Sequence, residues 1–585
     1  MLLLTTIKNT MKMFREHRQT YLGSLLVFQL IRTVIIVPLI SWLFLTALRF
    51  GGLSSLTEKN VLVLLRQPFS IIFLILLGLL TILFIYYEQA YYLLLQDTQR
   101  HNQPVRFRQL FQKLNKKVGF FLSFQSLFFV LYFVLVLPIA SLGMSASLTK
   151  SLRIPHFISD EWMKSQSGML LYVLLLIVIF YLSLRFLFVV PFFVLESELT
   201  IGQAFKRSWQ FTKKKQLRIL LTLGVVAGLY ALVVLIGTGI LFLPLLVIEP
   251  FFPMIAPFIA GVTLTVIQLF LFISFGLLQV LLATVLLYLI HPDQQLFIEK
   301  TVKKQSLKRV YLWIGSVLLL VMAGINSYAV SETLYQPKTQ VVAHRGYVAN
   351  QIDNTIAALE DAAKAGADLV EMDIQETKDH QFAVFHDGTL SRLANRKEAI
   401  RELTLAQLQA IPLKDGHKID KIASLEEYIE AAKKHNIRLL IELKPYGTPS
   451  PDMIERFVKI MEEYNVVDTF LVQTNNEQFV REIHERNPKI KVGLVIALNI
   501  GDLPDTEADF IALEEFSINR RLVEKAHEQG YPLFVWTVNQ EDLTRQVLGL
   551  NVDGIITDHV TQAIQVRDSF DEQQTFFERV QSLLN

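Results

Sequence analysis

Val341-Val342-Ala343-His344-Arg345-Gly346, Val370-Glu371-Met372-Asp373, Phe385-His386-Asp387 and Leu440-Ile441-Glu442-Leu443-Lys444 follow one pattern, a short apolar run that ends in charge. Working outward from them, strand-like runs fall near residues 340–344, 369–374, 438–443, 469–473, 491–496, 510–514, 533–538 and 554–557. Helical patterns separate most of them, for instance at 355–365, 424–434, 451–464, 477–486, 519–529 and 541–548. Eight strands alternating with helices over about 245 residues predict a single (β/α)8 barrel of the TIM type. Charges at the carboxyl ends of its parallel strands converge on one mouth, which makes these runs the candidate active site. The run 382–385 reads as an additional strand, a hairpin partner of the one before it. The stretch 390–422 reads as an irregular, polar insertion at the mouth.

The residues before about 328 are of another kind. The chain of 585 residues is 52% hydrophobic and only 19% charged, and the apolar excess lies in its first half. A spanning helix needs roughly 20 mostly apolar residues. Seven stretches meet this, near 21–48, 69–92, 118–143, 169–195, 218–247, 258–290 and 309–329. With the N-terminus inside, the inner segments carry 21 Lys and Arg residues and the outer loops carry 6. That bias sets the orientation, and an odd number of spans puts the second half of the chain outside the cytoplasm. The expected organisation is therefore a multi-span α-helical membrane domain over residues 1–330, a linker at 331–340 and the barrel at 341–585. About ten free linker residues reach roughly 30–35 Å at most, so the barrel stays close to the membrane. The linker enters the barrel at the end opposite the mouth. From that we expect the mouth to face away from the bilayer.

Net charge is +3, which gives no case for nucleic acid as a partner. The chain has no cysteine, so disulfides, thiolate catalysis and Cys-based zinc sites are excluded. An apolar start at 1–6 precedes Lys8, Lys12, Arg15 and Arg18, the wrong order for a cleavable signal peptide. Arg32 and Arg185 fall inside apolar runs, where a charge is either functional or paired within the helix bundle. Basic and aromatic residues mix around Phe107, Phe111, Phe205 and Trp209. These segments are topology-setting loops or amphipathic elbows on the inner surface.

Glu371 and Asp373 are two apart on one strand and point to the same side. With Glu442 they bring three carboxylates to one end of the barrel, which is costly unless a cation joins them. All-oxygen ligation favours Ca²⁺ or Mg²⁺. His344 and His386 supply an acid and a base near neutrality. Arg345 and Lys444 supply fixed positive charge for a phosphate, or simply pair with the carboxylates. Together the set suggests phosphodiester cleavage.

These motifs, with Asn354-Thr355 and their spacing, resemble the glycerophosphodiester phosphodiesterase family of PLC-like phosphodiesterase barrels over about residues 340–560. The resemblance implies catalysis by His344 and His386, metal binding by Glu371, Asp373 and Glu442, and phosphate contacts from Arg345 and Lys444. Trp536 and Asn539 resemble the family's late strand motif near the substrate, although Trp536 also suits the barrel core. Asp353 stands where the family usually has Glu, and Val560 where Pro is common. The membrane half resembles, by hydropathy and order, the domain that precedes this barrel in some bacterial members. The activity implied is release of sn-glycerol 3-phosphate and an alcohol from a glycerophosphodiester or a polyglycerolphosphate. The competing readings are a transporter or lipid-handling protein whose barrel binds head groups, and a catalytically inert polyglycerolphosphate-binding module.

Overall fold

A long apolar run can satisfy its backbone within itself in a bilayer only as a helix. In the computed structural model, which describes residues 12, 15–101, 105–139, 162–163, 166–291, 309–332, 338–569 and 575–584, six helices are long and apolar enough to cross. They are Arg18–Phe50, Pro68–Arg100, Ser167–Leu195, Gln216–Phe251, Ala256–Ile290 and Trp313–Ser331. The span expected near 118–143 is instead a bent pair, Phe107–Phe121 and Ser126–Leu135, with 102° between its parts. Residues 140–143 of that expected span lie outside the described residues. Within the first part of the pair, Lys117 is buried and donates to the carbonyls of Glu196 (3.2 Å) and Leu199 (2.7 Å), tying it to the turn after the helix Val189–Leu195.

Arg185 ties two helices together. Its guanidinium donates to the Trp209 carbonyl at 2.6 Å and stacks 4.1 Å over the Trp209 ring, joining two helices. Arg32 lies in a π-helical stretch, Ile31–Ile36, within the first span.

After that span, Ser55–Thr57 forms a short strand, β1. The barrel follows the linker: β2 (Gln340–Ala343), β3 (Leu369–Glu376), β7 (Arg438–Leu443), β8 (Leu471–Thr474), β9 (Lys491–Ile496), β11 (Phe510–Glu514), β12 (Leu533–Trp536) and β13 (Gly554–Thr557). These strands pair in parallel, and β13 and β3 both flank β2, which closes the ring. Val342, Leu369, Leu440, Phe510, Ala512, Phe534 and Ile556 fill its interior. The hairpin partner expected at 382–385 is β4 (Phe382–Val384), antiparallel to β3. The insertion is better built than its polarity suggested. It holds a hairpin, β5 (Pro412–Asp415) and β6 (Lys418–Lys421), over its own apolar cluster of Leu390, Leu393, Ile400, Leu408, Leu413 and Ile422.

Two features differ from expectation. The last helix, Phe576–Leu584, packs on membrane helices: Phe576, Phe577 and Val580 join Phe242, Leu245, Leu264 and Val330. Glu249 caps its start, accepting from the N–H of Phe576 at 2.5 Å and of Phe577 at 3.3 Å. The mouth also does not face away. The strand β10 (Asn499–Gly501), in the loop after β9, pairs antiparallel with β1 of the membrane half. The Leu498 N–H donates to Glu58 at 3.1 Å. Linker length bounds only the distance between the halves; these loop contacts fix the orientation.

Candidate active site

Backbone shape sets the first part of the site. After β2 the chain turns through Arg345 (φ 57°) and Gly346 (φ 87°), both left-handed. A side chain at Gly346 would put its Cβ 2.6 Å from that of Ala358, so glycine alone lets this loop lie on the helix Ile356–Ala365. Asn354 locks the turn. Its N–H donates to the Arg345 carbonyl (2.9 Å), its side-chain amide to Asp373 Oδ2 (2.8 Å), and its Oδ1 accepts from the Asp373 N–H (2.9 Å).

Strand ends supply the rest. His344, Arg345, Glu371, Asp373, His386, Glu442, Lys444 and Trp536 line one cleft of about 400 Å³, whereas Asn539, also named from the sequence, does not reach it. Glu371, Asp373 and Glu442 are buried, with one oxygen of each within 4.8 Å of the others. The Lys444 ammonium lies 3.0 Å from Asp373 Oδ1 and is bonded to Glu442. The Arg345 N–H donates to Glu371 at 2.9 Å. Burial, then Asp373 and Glu442, push the Glu371 carboxyl well above the usual range. Burial acts the same way on Asp373, but Lys444, His386 and Arg345 outweigh it and hold that carboxyl low.

Both histidines are oriented by a carboxylate. His344 Nδ1 lies 2.7 Å from Asp558 Oδ1, and His386 Nδ1 lies 2.9 Å from Asp387 Oδ1. An ionised carboxylate only accepts, so each Nδ1 carries the proton and each Nε2 is left to exchange one. His386 is shifted down by burial and then by Arg345. Against burial, His344 and Asn539 keep the Asp558 carboxyl low, and His386 and Arg392 do so for Asp387.

Behind these residues lies a supporting layer, of which the sequence pointed to Asn539 and Asp353 but not to Asp558 or Arg392. Asn539 donates to Asp558 at 2.6 Å, so it acts on a carboxylate behind His344. Arg392 bridges Asp387 (2.7 Å) and Asp353 (3.0 and 2.8 Å). Asp353 therefore keeps a use on its shorter arm, also 3.7 Å from Arg345. Asp558 ends β13 in charge, the signal that picked out the other strand ends. Trp536 gives its indole N–H to the Ala512 carbonyl (3.1 Å) and lines the cleft, so it is both core and wall. Trp162, from the membrane half, lines it too, and nothing in the sequence pointed there.

The fit of a cation can be judged from the chain alone. Three buried carboxylates converge, and burial with mutual repulsion pushes one of them towards neutrality. Gln473 adds an Oε1 that is buried without a hydrogen-bond partner, while its Nε2 donates to Glu442 at 3.0 Å. Four oxygens and no sulfur or nitrogen suit a hard divalent ion.

Comparison with known proteins completes the picture. Residues 7–326 match the family described as the membrane domain of glycerophosphoryl diester phosphodiesterase, and 344–562 match the glycerophosphoryl diester phosphodiesterase family. A glycerophosphodiester phosphodiesterase of Caldanaerobacter subterraneus is 32% identical over 229 residues, 38% of this chain and 94% of that protein. One from Bacillus altitudinis is 28% identical over 39% of this chain and 98% of its own. Among solved structures, an Oleispira antarctica phosphodiesterase in complex with the product sn-glycerol-3-phosphate is 22% identical, with a TM-score of 0.36, over 39% of this chain and 96% of that one. The membrane helices, the closed barrel, the two family matches and the Caldanaerobacter relative agree: the chain belongs to the glycerophosphodiester phosphodiesterase family and is a phosphoric diester hydrolase that carries its own N-terminal membrane domain.

Proposed function

We propose that the chain hydrolyses glycerophosphodiesters to sn-glycerol 3-phosphate and an alcohol with a divalent cation, Ca²⁺ or Mg²⁺, held by Glu371, Asp373 and Glu442. The observation that carries this reading is the convergence of that buried triad with two carboxylate-held histidines in one cleft. When bound, the cation would neutralise charge on the phosphate's non-bridging oxygens. Arg345 and Lys444 bind and orient the phosphate from the same floor. His344 and His386 move the protons through Nε2, one taking a proton from the attacking hydroxyl and the other giving one to the leaving alkoxide. Asp558 and Asp387 fix the tautomers. Water supplies the hydroxyl overall: its oxygen joins phosphorus, the bond from phosphorus to the alcohol breaks, and the alcohol leaves with a proton.

The same reading divides the chain into a membrane domain at 1–330, a linker at 331–340 and a barrel from 341. It places the barrel on the outer side of the cell membrane. Support comes from β1, Trp162 and Glu249, all in contact with the barrel, its cleft or the C-terminal helix, after the first, third and fifth expected spans. The chain thus returns to the barrel's side between Arg100 and Trp162, the stretch that holds the bent pair. That makes the number of passages odd, and the described basic segments at 106–117 and 206–218, after the second and fourth expected spans, fall opposite the barrel.

The test is glycerol 3-phosphate release from glycerophosphocholine by the purified full chain, with Ca²⁺, with Mg²⁺ and with chelator. Metal-dependent release supports the reading. Release undiminished by chelator removes the metal from it. Cleavage of polyglycerolphosphate alone would move the substrate to the polymer.

A further inference from the structure

The cleft is built from both halves of the chain. Its floor is charged, but one side is apolar: Trp162, Val495, Trp536 and Ile556. Trp162 comes from the loop before the fourth expected span and stands edge-on to Tyr172 at the start of that helix, with ring centroids 6.3 Å apart. The cleft therefore borders the point where a membrane helix begins.

A second observation points the same way. Among the described residues of the barrel, the large apolar or aromatic side chains left exposed are Ile419, Tyr446 and Ile500. All three belong to the catalytic face. Tyr446 follows β7, Ile500 lies in β10 after β9, and Ile419 lies in β6. Lys418, beside Ile419, donates to the carbonyls of Val348 (3.3 Å) and Gln351 (3.1 Å) in the loop after β2. A Cβ added at Gly501, next to Ile500, would lie 3.4 Å from Leu48 and 3.6 Å from Phe44 of the first span. Exposed apolar tips gathered on one face, with Ile500 beside the first span, mark a surface that meets lipid. A mouth serving only a water-soluble diester needs neither these tips nor a tryptophan supplied by the membrane half.

We propose that the substrate is a glycerophosphodiester whose alcohol is anchored in the bilayer. Its glycerol phosphate end lies on the charged floor, and its alcohol runs along Trp162 and Trp536 towards the membrane. This rests on the phosphodiesterase reading above and narrows its substrate class. The bond broken is unchanged: glycerol 3-phosphate is released to water, and the alcohol stays in the membrane.

The full chain in phospholipid vesicles is given two substrates with the same scissile bond. One is glycerophosphoethanolamine in solution; the other is N-palmitoyl glycerophosphoethanolamine held in the vesicles. We expect the anchored substrate to be preferred by about ten-fold or more in kcat/KM, as apolar anchoring at an interface implies. Trp162→Ala should cut that preference about five-fold and Trp162→Phe should retain it, since an aromatic ring supplies the apolar contact. If Trp162→Ala loses both activities, Ile500→Asp, on a tip outside the cleft, decides: a fallen preference supports the inference and an unchanged one overturns it. Equal or faster cleavage of the soluble substrate by the unaltered chain overturns the inference and leaves the phosphodiesterase reading standing. Release from neither substrate overturns that reading itself.

Discussion

Buried charge is handled in opposite ways in the two halves of this molecule. In the membrane half, cations give their donors to main-chain carbonyls. Lys117 binds the carbonyls of Glu196 and Leu199, Arg185 that of Trp209, and Arg100 those of Leu287 and His291. Main-chain carbonyls at helix ends are fixed acceptors that no ligand displaces, so these cations hold the bundle together. In the barrel, Lys444 and Arg345 face Asp373, Glu442 and Glu371, side chains that line a cavity. Those pairs can be rearranged by a phosphate or a cation. The difference teaches that a buried charge points to chemistry when its partners are side chains around a cavity, and to structure when they are backbone.

Substitutions test this contrast, beginning with the largest effect. Glu442→Ala should lower the rate by roughly 10³-fold, the scale of removing one element of preorganised electrostatics, with the purified protein still folded by circular dichroism. His344→Ala should lower kcat by roughly 10²–10⁴-fold, the range of general acid–base catalysis, as read in glycerol 3-phosphate release. Asp558→Asn should cost kcat about 10- to 100-fold, as partners that orient a working group do. KM should hold within about two-fold, because uniform binding is untouched. Arg185→Ala should leave kcat/KM of the folded enzyme nearly unchanged. It should cost the bundle about 2 kcal/mol, the scale of a charged hydrogen bond, seen as a lower melting temperature in vesicles. An Arg185→Ala enzyme that melts normally but is inactive would break the comparison.

The smallest effect is on pH. Against their burial, Arg392 and Arg345 hold the Asp353 carboxyl low, and His386 and Arg392 hold Asp387 low. A depressed folded value gives stability that is present above the unfolded value, about 3.9 for Asp, and lost as pH falls below it. The barrel's melting temperature should drop between about pH 5 and 3, and less steeply in Asp353→Asn.

The strands, the helices and the cleft's charged residues were legible because their signals are local. A short apolar run and a terminal charge announce a strand end over six residues, as in Arg438–Leu443, buried at every position after the first and followed by Lys444. What stayed hidden depends on partners far apart in the chain. Asp558 meets His344 across 214 residues, and Arg392 meets Asp353 across 39. A polar composition concealed the apolar cluster under β5 and β6, because Leu393, Leu408 and Leu413 alternate with charge at no single period. The third expected span passed the hydropathy test as a sum, which carries no sign of the 102° bend between its two parts.

The sequence by itself determined that there are two halves, that one is a barrel, and which charges gather at its mouth, since short apolar strand runs and helix hydropathy act over a few residues. Only the tertiary structure decided where that mouth points. A short linker limits how far the barrel travels but not how it turns. The turn is fixed by β1 pairing with β10, strands more than four hundred residues apart, and by Trp162 at the edge of the cleft.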